Sequence, residues 1–372
     1  MDGKRDGRID LFRGLALLFI FWDHIPDNVI GLLTPRNFGF SDAAEIFVFL
    51  AGYGAALAYG RGLGRDGWAA SCMRILRRAW KLYVAHIFIL VVLAGIVFVA
   101  NQHVESRDFV EELHLTYLVK NTEPALIDAL TLRFKPGLMD PLPLYIVLLL
   151  AFAVCLPAVV RRPGLALAGS AILYGLTRHF DWQMPSAPRE GWFFNPLAWQ
   201  LLFILGAVCA TGLGRALSPR LRRACLAPAA GFLAVAALLA LSWRWPEVHD
   251  AVMPPWLADL IYPIDKTNLG LLRLLHFLAL ACCVSVLVPA GAWLGRPVPS
   301  ALRLLGRHSL EVFCLGVVLA PLADAGNALL GNHVLAQVAT SAAGAALMVA
   351  FATGLELSRP AVARPAAQAV GK

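Results

Sequence analysis

The chain has 372 residues, of which 59% are hydrophobic and only 15% charged, and its mean hydropathy of +0.68 lies outside the range of soluble globular domains. Its formal net charge of +8 raises nucleic acid as a partner, but the basic residues follow the loops between apolar segments, a pattern that belongs to orientation in a bilayer. No CxxC, HExxH, GxxxxGK[ST] or GxSxG pattern occurs, so the sequence offers no zinc site, no P-loop and no hydrolase nucleophile elbow.

Ten apolar segments long enough to span a membrane are predicted, at 9–29, 42–61, 80–100, 141–160, 163–178, 193–213, 225–243, 268–293, 308–330 and 334–357. The expected fold is an all-α polytopic bundle, with 1–358 as one membrane-embedded domain and 359–372 as a flexible cytoplasmic tail. The first segment, RGLALLFIFWDH, carries Arg13 at one end and His24 at the other. Eleven residues at 100° each come within about 20° of three whole turns, so both side chains share one face roughly 16 Å apart. The basic start resembles a signal peptide, yet WDHIPDN offers no small-residue cleavage site, and the helix is expected to be retained.

In the second segment, FSDAAEIFVFLAGYG puts Asp42 and Glu45 one turn apart, level with His24 if the first two helices are antiparallel neighbours. Two readings stay open: either carboxylate orients the imidazole, or Ser41 caps the helix and the acids merely favour its positive end. The following inner loop carries Arg74, Arg77, Arg78 and Lys81 on helical spacings, a stripe suited to phosphates or to anionic lipid. His86, inside the third segment, reads as a helix-to-helix hydrogen bond rather than a base. The segment 101–140 holds two helix-like stretches, with Thr122 as an N-cap, and reads as a lid or a structural cover.

Further along, Asn195 and Gln200 in FNPLAWQLLF are candidates for binding hydroxyls, with Trp192 and Trp199 read as an interfacial belt in preference to a sugar-stacking surface. DKTNLGLLRLLH brings Lys266, Arg273 and His276 towards the outer end of the eighth segment, as contacts for an anionic or sugar substrate. Lys266 also fits a lysine that snorkels to the interface. Arg307 and His308 open the ninth segment on the inner side, with Glu311 one turn deeper and placed to pair with a cation. With a cytoplasmic N-terminus, inside segments hold 21 of the 32 Lys and Arg and outside segments nine, which predicts both termini in the cytoplasm.

The arginine, ten intervening residues and histidine of Arg13 to His24 look like the signature of the acyltransferase-3 superfamily of membrane acyltransferases. More specifically, RIDLFRGLALLFIFWDHIPDN, TPRNFGFSDAAEIFVFLAGY, MDPLPLYIVLL, FNPLAWQLLFILG, DKTNLGLLRLLHFLALA and LGRHSLEVFCLG, spread from residue 8 to about 316, resemble the OpgC family. The resemblance implies a bacterial inner-membrane enzyme that O-succinylates, or similarly O-acylates, osmoregulated periplasmic glucans, with acyl-CoA (succinyl-CoA or acetyl-CoA) as a substrate and no bound cofactor. Arg13, Arg74, Arg77, Arg78, Lys81 and Arg307 would then receive the donor. Arg273, His276, Lys266, Asn195 and Gln200 would receive the acceptor, and His24 with Asp42 or Glu45 would move the proton. No serine or cysteine is placed as a covalent relay, so direct transfer is expected. The alternatives are acetylation of another envelope polysaccharide or lipid-linked sugar and, in a different class, a transporter or flippase, which the absence of a clear internal repeat disfavours.

Overall fold

The computed structural model describes residues 6–211 and 219–358, and among them every regular element is helical. The expected tail after 358 lies outside the described residues. Each predicted apolar segment overlaps a helix, the first ending six residues early and the eighth shorter at both ends: α1 (Gly7–Asp23), the two arms of α2 (Ala43–His103), α6 (Pro141–Arg161), α7 (Pro163–Phe180), α8 (Pro196–Ala210), α10 (Leu226–Ser242), α13 (Leu271–Leu287), α15 (Ser309–Leu329) and α16 (Val334–Leu357). The remaining helices are short: α3 (Phe109–Glu112), α4 (Thr116–Lys120), α5 (Thr122–Leu130), α9 (Pro219–Ala224), α11 (Pro246–Val252), α12 (Pro255–Ile261) and the amphipathic α14 (Pro297–Arg307). Four helices, namely α2, α6, α15 and α16, are long and apolar enough to cross a membrane, while α8, α10 and α13 are shorter apolar helices.

Local chemistry sets the boundaries. Asp6 caps α1 by accepting from the Arg8 amide at 3.0 Å, and Pro26 follows the C-terminal His24. Proline stands at the first turn of α6, α7, α8 and α14, where its missing N–H costs no hydrogen bond. The inner loop expected between the second and third segments is instead helical. Gly67 alone departs from helical geometry, at φ +81°, and divides α2 into two arms. Asp66 fastens the corner through Arg65 at 2.8 Å and Arg74 at 2.6 Å. Thr122 is no N-cap either, since it is already the first residue of α5 and its hydroxyl donates to the Leu118 carbonyl at 3.0 Å.

Two close helix crossings hold the bundle. A Cβ at Gly52 of α2 would lie 1.9 Å from the Phe203 carbonyl oxygen of α8, and one at Gly206 of α8 would lie 2.0 Å from that of Phe49. Gly14 of α1 meets Leu302 of α14 in the same way, with Gly306 against Asp10. Small residues let backbones approach and gain dispersion contacts, which matters most where lipid offers no hydrophobic drive. Phe21, Phe152, Trp199, Phe203 and Val317 fill the centre. Many large apolar side chains stay exposed, including Phe88, Val154, Leu335 and Leu357, as expected of helices that face acyl chains.

The stretch read as a connecting loop before the ninth segment contains α14, which packs lengthwise on α1. Its Leu302 and Leu305 lie at the same helical spacing as an apolar face, a signal present in the sequence.

Candidate active site

The start of α2 builds the first wall of the site. Asp42, rather than Ser41, is the N-cap: its carboxylate accepts from the Ala44 amide at 2.8 Å, and the Glu45 carboxylate accepts from the Asp42 amide at 2.9 Å, completing a capping box. The two carboxylates then bind α13. Arg273 donates to Glu45 at 2.7 Å and to Asp42 at 3.0 Å, and Lys266 lies 2.6 Å from Asp42. Glu45 is fully buried and Arg273 nearly so, which makes their pair the desolvated core of the network, with Lys266 partly exposed at its edge. Removing one partner would strand a buried charge.

Beside this network lies a cavity of about 290 Å³. His24 at the end of α1 lines it, together with Asp23, Arg36, Asp42, Lys266, Asp140 and Arg189, while His114, Gly137 and Leu138 come from the 101–140 segment. His24 is distinct among these groups. Its Nδ1 is buried without a hydrogen-bond partner, and neither ring nitrogen is bonded within the described residues. Asp23 is held by the Thr34 hydroxyl at 2.6 Å and by Arg36 at 3.3 Å. Neither carboxylate expected to orient the imidazole is hydrogen-bonded to it: Asp42 shares the cavity, and Glu45 is spent on Arg273 and its own cap.

Of the residues expected to bind an acceptor, only Lys266 lines the cavity. Arg273 lies behind it in the ion network. His276 is buried against Phe40 and Phe232, with Nδ1 2.7 Å from the Ser41 hydroxyl. Asn195 is fully buried and committed, capping α8 through the Leu197 amide and donating to the Trp182 carbonyl at 2.7 Å. Gln200 ties α8 to Ser170 of α7 at 2.5 and 2.9 Å. These side chains position the wall and do not face the cavity. The interfacial belt expected of Trp192 and Trp199 is corrected likewise, because both are buried and donate to backbone carbonyls.

The 101–140 segment packs inward on Phe109, Leu115 and Phe134, and Arg107 fastens it through Asp324 of α15 at 2.5 Å and through Glu112. Its contribution to the site includes Asp140, a cavity residue that site-by-site reading of the sequence passed over although it stands in MDPLPLYIVLL. Burial holds the Asp140 carboxyl up at about 6. Asp23, Arg36 and Arg189 were missed as well, and the first two lie within the quoted motifs.

The other candidates lie apart from this cavity. Arg13 packs against α2, donating to the Leu50 carbonyl at 2.9 Å, with Asp10 4.0 Å away. Arg74 pairs with Asp66, Lys81 with Glu311 at 3.0 Å and Arg307 with Glu356 at 2.7 Å. The cation partner expected for Glu311 is thus Lys81. Exposed Arg77 and half-buried Arg78 make no hydrogen bond or ion pair among the described residues. His86 is buried with both ring nitrogens unpartnered, so the helix-to-helix hydrogen bond expected of it is not formed.

In a helical protein with helices apolar enough to cross a membrane, acidic and basic side chains and the His24 imidazole converge on one cavity, a site able to move protons. A family model described as OpgC protein matches residues 5–359, nearly the whole sequence, and the chain belongs to that family. Membership implies a glucan-modifying acyltransferase. No curated protein and no solved structure gives a significant match.

Proposed function

We propose that the protein is an inner-membrane O-acyltransferase that moves a succinyl or similar acyl group from cytoplasmic acyl-CoA to hydroxyls of a periplasmic glucan. The observation that carries this reading is the unengaged His24 imidazole on the wall of the cavity. The distribution of basic residues supports ten spans with both termini in the cytoplasm, which puts Arg74, Arg78 and Arg307 on the donor side and His24 towards the acceptor side. A glucosyl hydroxyl gives its proton to His24 as its oxygen attacks the thioester carbonyl. The carbon–sulfur bond breaks, and the imidazolium returns the proton to the departing thiolate. Lys266 and the Asp42 network hold the wall against which the acceptor rests.

The test is acyl transfer by purified His24→Ala protein that is expressed and inserted at the normal level. Loss of a general base lowers the rate by about a hundredfold to ten-thousandfold. Near-normal transfer would remove His24 from the mechanism.

A further inference from the structure

A smaller chamber of about 70 Å³ adjoins the His24 cavity, and His114, Asp140, Arg189 and Phe193 belong to the lining of both. Lys135 and Ser186 complete its polar wall. Lys135 is fixed there: its ammonium lies 3.9 Å from the centroid of the Trp192 ring and donates to the Leu132 and Arg133 carbonyls and, at 3.3 Å, to the Ser186 hydroxyl. Arg189 is exposed and makes no hydrogen bond or ion pair among the described residues. The other cations of the main cavity are already engaged, Arg36 by Asp23 and Lys266 by Asp42.

We propose that this side chamber seats the distal carboxylate of the acyl group under transfer, and that Arg189, with Lys135 behind it, selects a dicarboxylic acyl donor over acetyl. The inference rests on the acyl-transfer reading given above. At about 30 Å³ per water, a chamber of about 70 Å³ holds roughly two waters, room for a carboxylate group itself with the methylenes left in the adjoining cavity. An acetyl group has no atoms to place there. Two cations face one acid, Asp140, and burial holds that carboxyl up at about 6 while drawing the neighbouring His114 towards its neutral form, so the chamber stays net positive near neutrality. Arg273, the arginine the sequence suggested for this task, is already bridged to Asp42 and Glu45.

The experiment compares succinyl-CoA and acetyl-CoA as donors for the full chain in detergent, with a β-glucan oligosaccharide as acceptor and mass spectrometry of the product as readout. Arg189→Gln should lower the succinyl-to-acetyl ratio about tenfold, the scale of one charge-assisted contact. Arg189→Lys should restore much of that ratio, and Lys135→Met should shift it the same way by less. An unchanged ratio in Arg189→Gln, or equal losses with both donors, would overturn the assignment while leaving acyl transfer intact. An unmodified protein that transfers neither group would instead sink the transferase reading, and this inference with it.

Discussion

The two ends of the bundle are built from the same residue types and use them in opposite ways. At the His24 end, Glu45, Arg273 and Asp42 are buried and mutually paired beside a cavity, with a partly exposed Lys266 closing the network on Asp42. At the other end, Lys81, Arg74 and Arg307 meet Glu311, Asp66 and Glu356 on partly exposed surfaces, and Arg77 and Arg78 stay unpaired among the described residues. The difference is one of dielectric. A buried pair is costly to break because the survivor stays buried, whereas an exposed pair is replaced by water at little cost.

That contrast can be broken at its scaffold first. Gly52→Leu should prevent α2 from reaching α8 and abolish recovery of folded protein in detergent, because the new Cβ falls 1.9 Å from a backbone oxygen that has no rotamer to change. Next in size, Arg273→Met should destabilise the protein by about 3–5 kcal/mol, read as thermal unfolding, by stranding the fully buried Glu45, whereas Asp42 keeps Lys266. Arg78→Gln at the opposite end should leave stability unchanged and raise the apparent KM for acyl-CoA about tenfold if the side chain holds a phosphate there. Smallest of all, Arg307→Ala should cost no more than about 1 kcal/mol, since its pair with Glu356 is half-exposed. A large loss there would erase the distinction between the two ends.

Lys135 sharpens the comparison through pH. Burial pulls its ammonium down to about 8 from an ordinary 10.5. The folded protein therefore gives up this proton more readily than the unfolded chain. Its contribution to stability is present above pH 10.5 and is lost as pH falls through about 8. Lys135→Met should remove that part of the pH dependence in detergent melts, and an identical slope in the variant would contradict the burial argument.

The apolar segments were legible in the sequence because the hydrocarbon thickness demands long uninterrupted runs, and each run is a helix. The corner at 61–80 was not, since basic residues between two apolar runs read as a loop although nothing but Gly67 breaks the helix. Asp42 and Glu45 could be recognised as a functional or capping pair, but their partner Arg273 comes from 228 residues beyond Glu45. That single long-range contact turns a presumed substrate ligand into part of the wall. Asn195 and Gln200 mislead for a similar reason, because polar side chains in apolar helices signal function only when their hydrogen bonds are not spent on neighbouring backbone. Arg189 reaches the cavity from a connecting segment between two helices, and Asp140 from the position just before the apolar run of α6, where a single acid reads as a helix boundary.

The most direct test of the central claim is mass spectrometry of periplasmic glucans from cells that lack this protein and are supplied with either the unmodified chain or His24→Ala. The account predicts acylated glucan with the unmodified chain and essentially none with His24→Ala at equal membrane abundance. Glucans acylated to the same degree in both, or in neither, would contradict it.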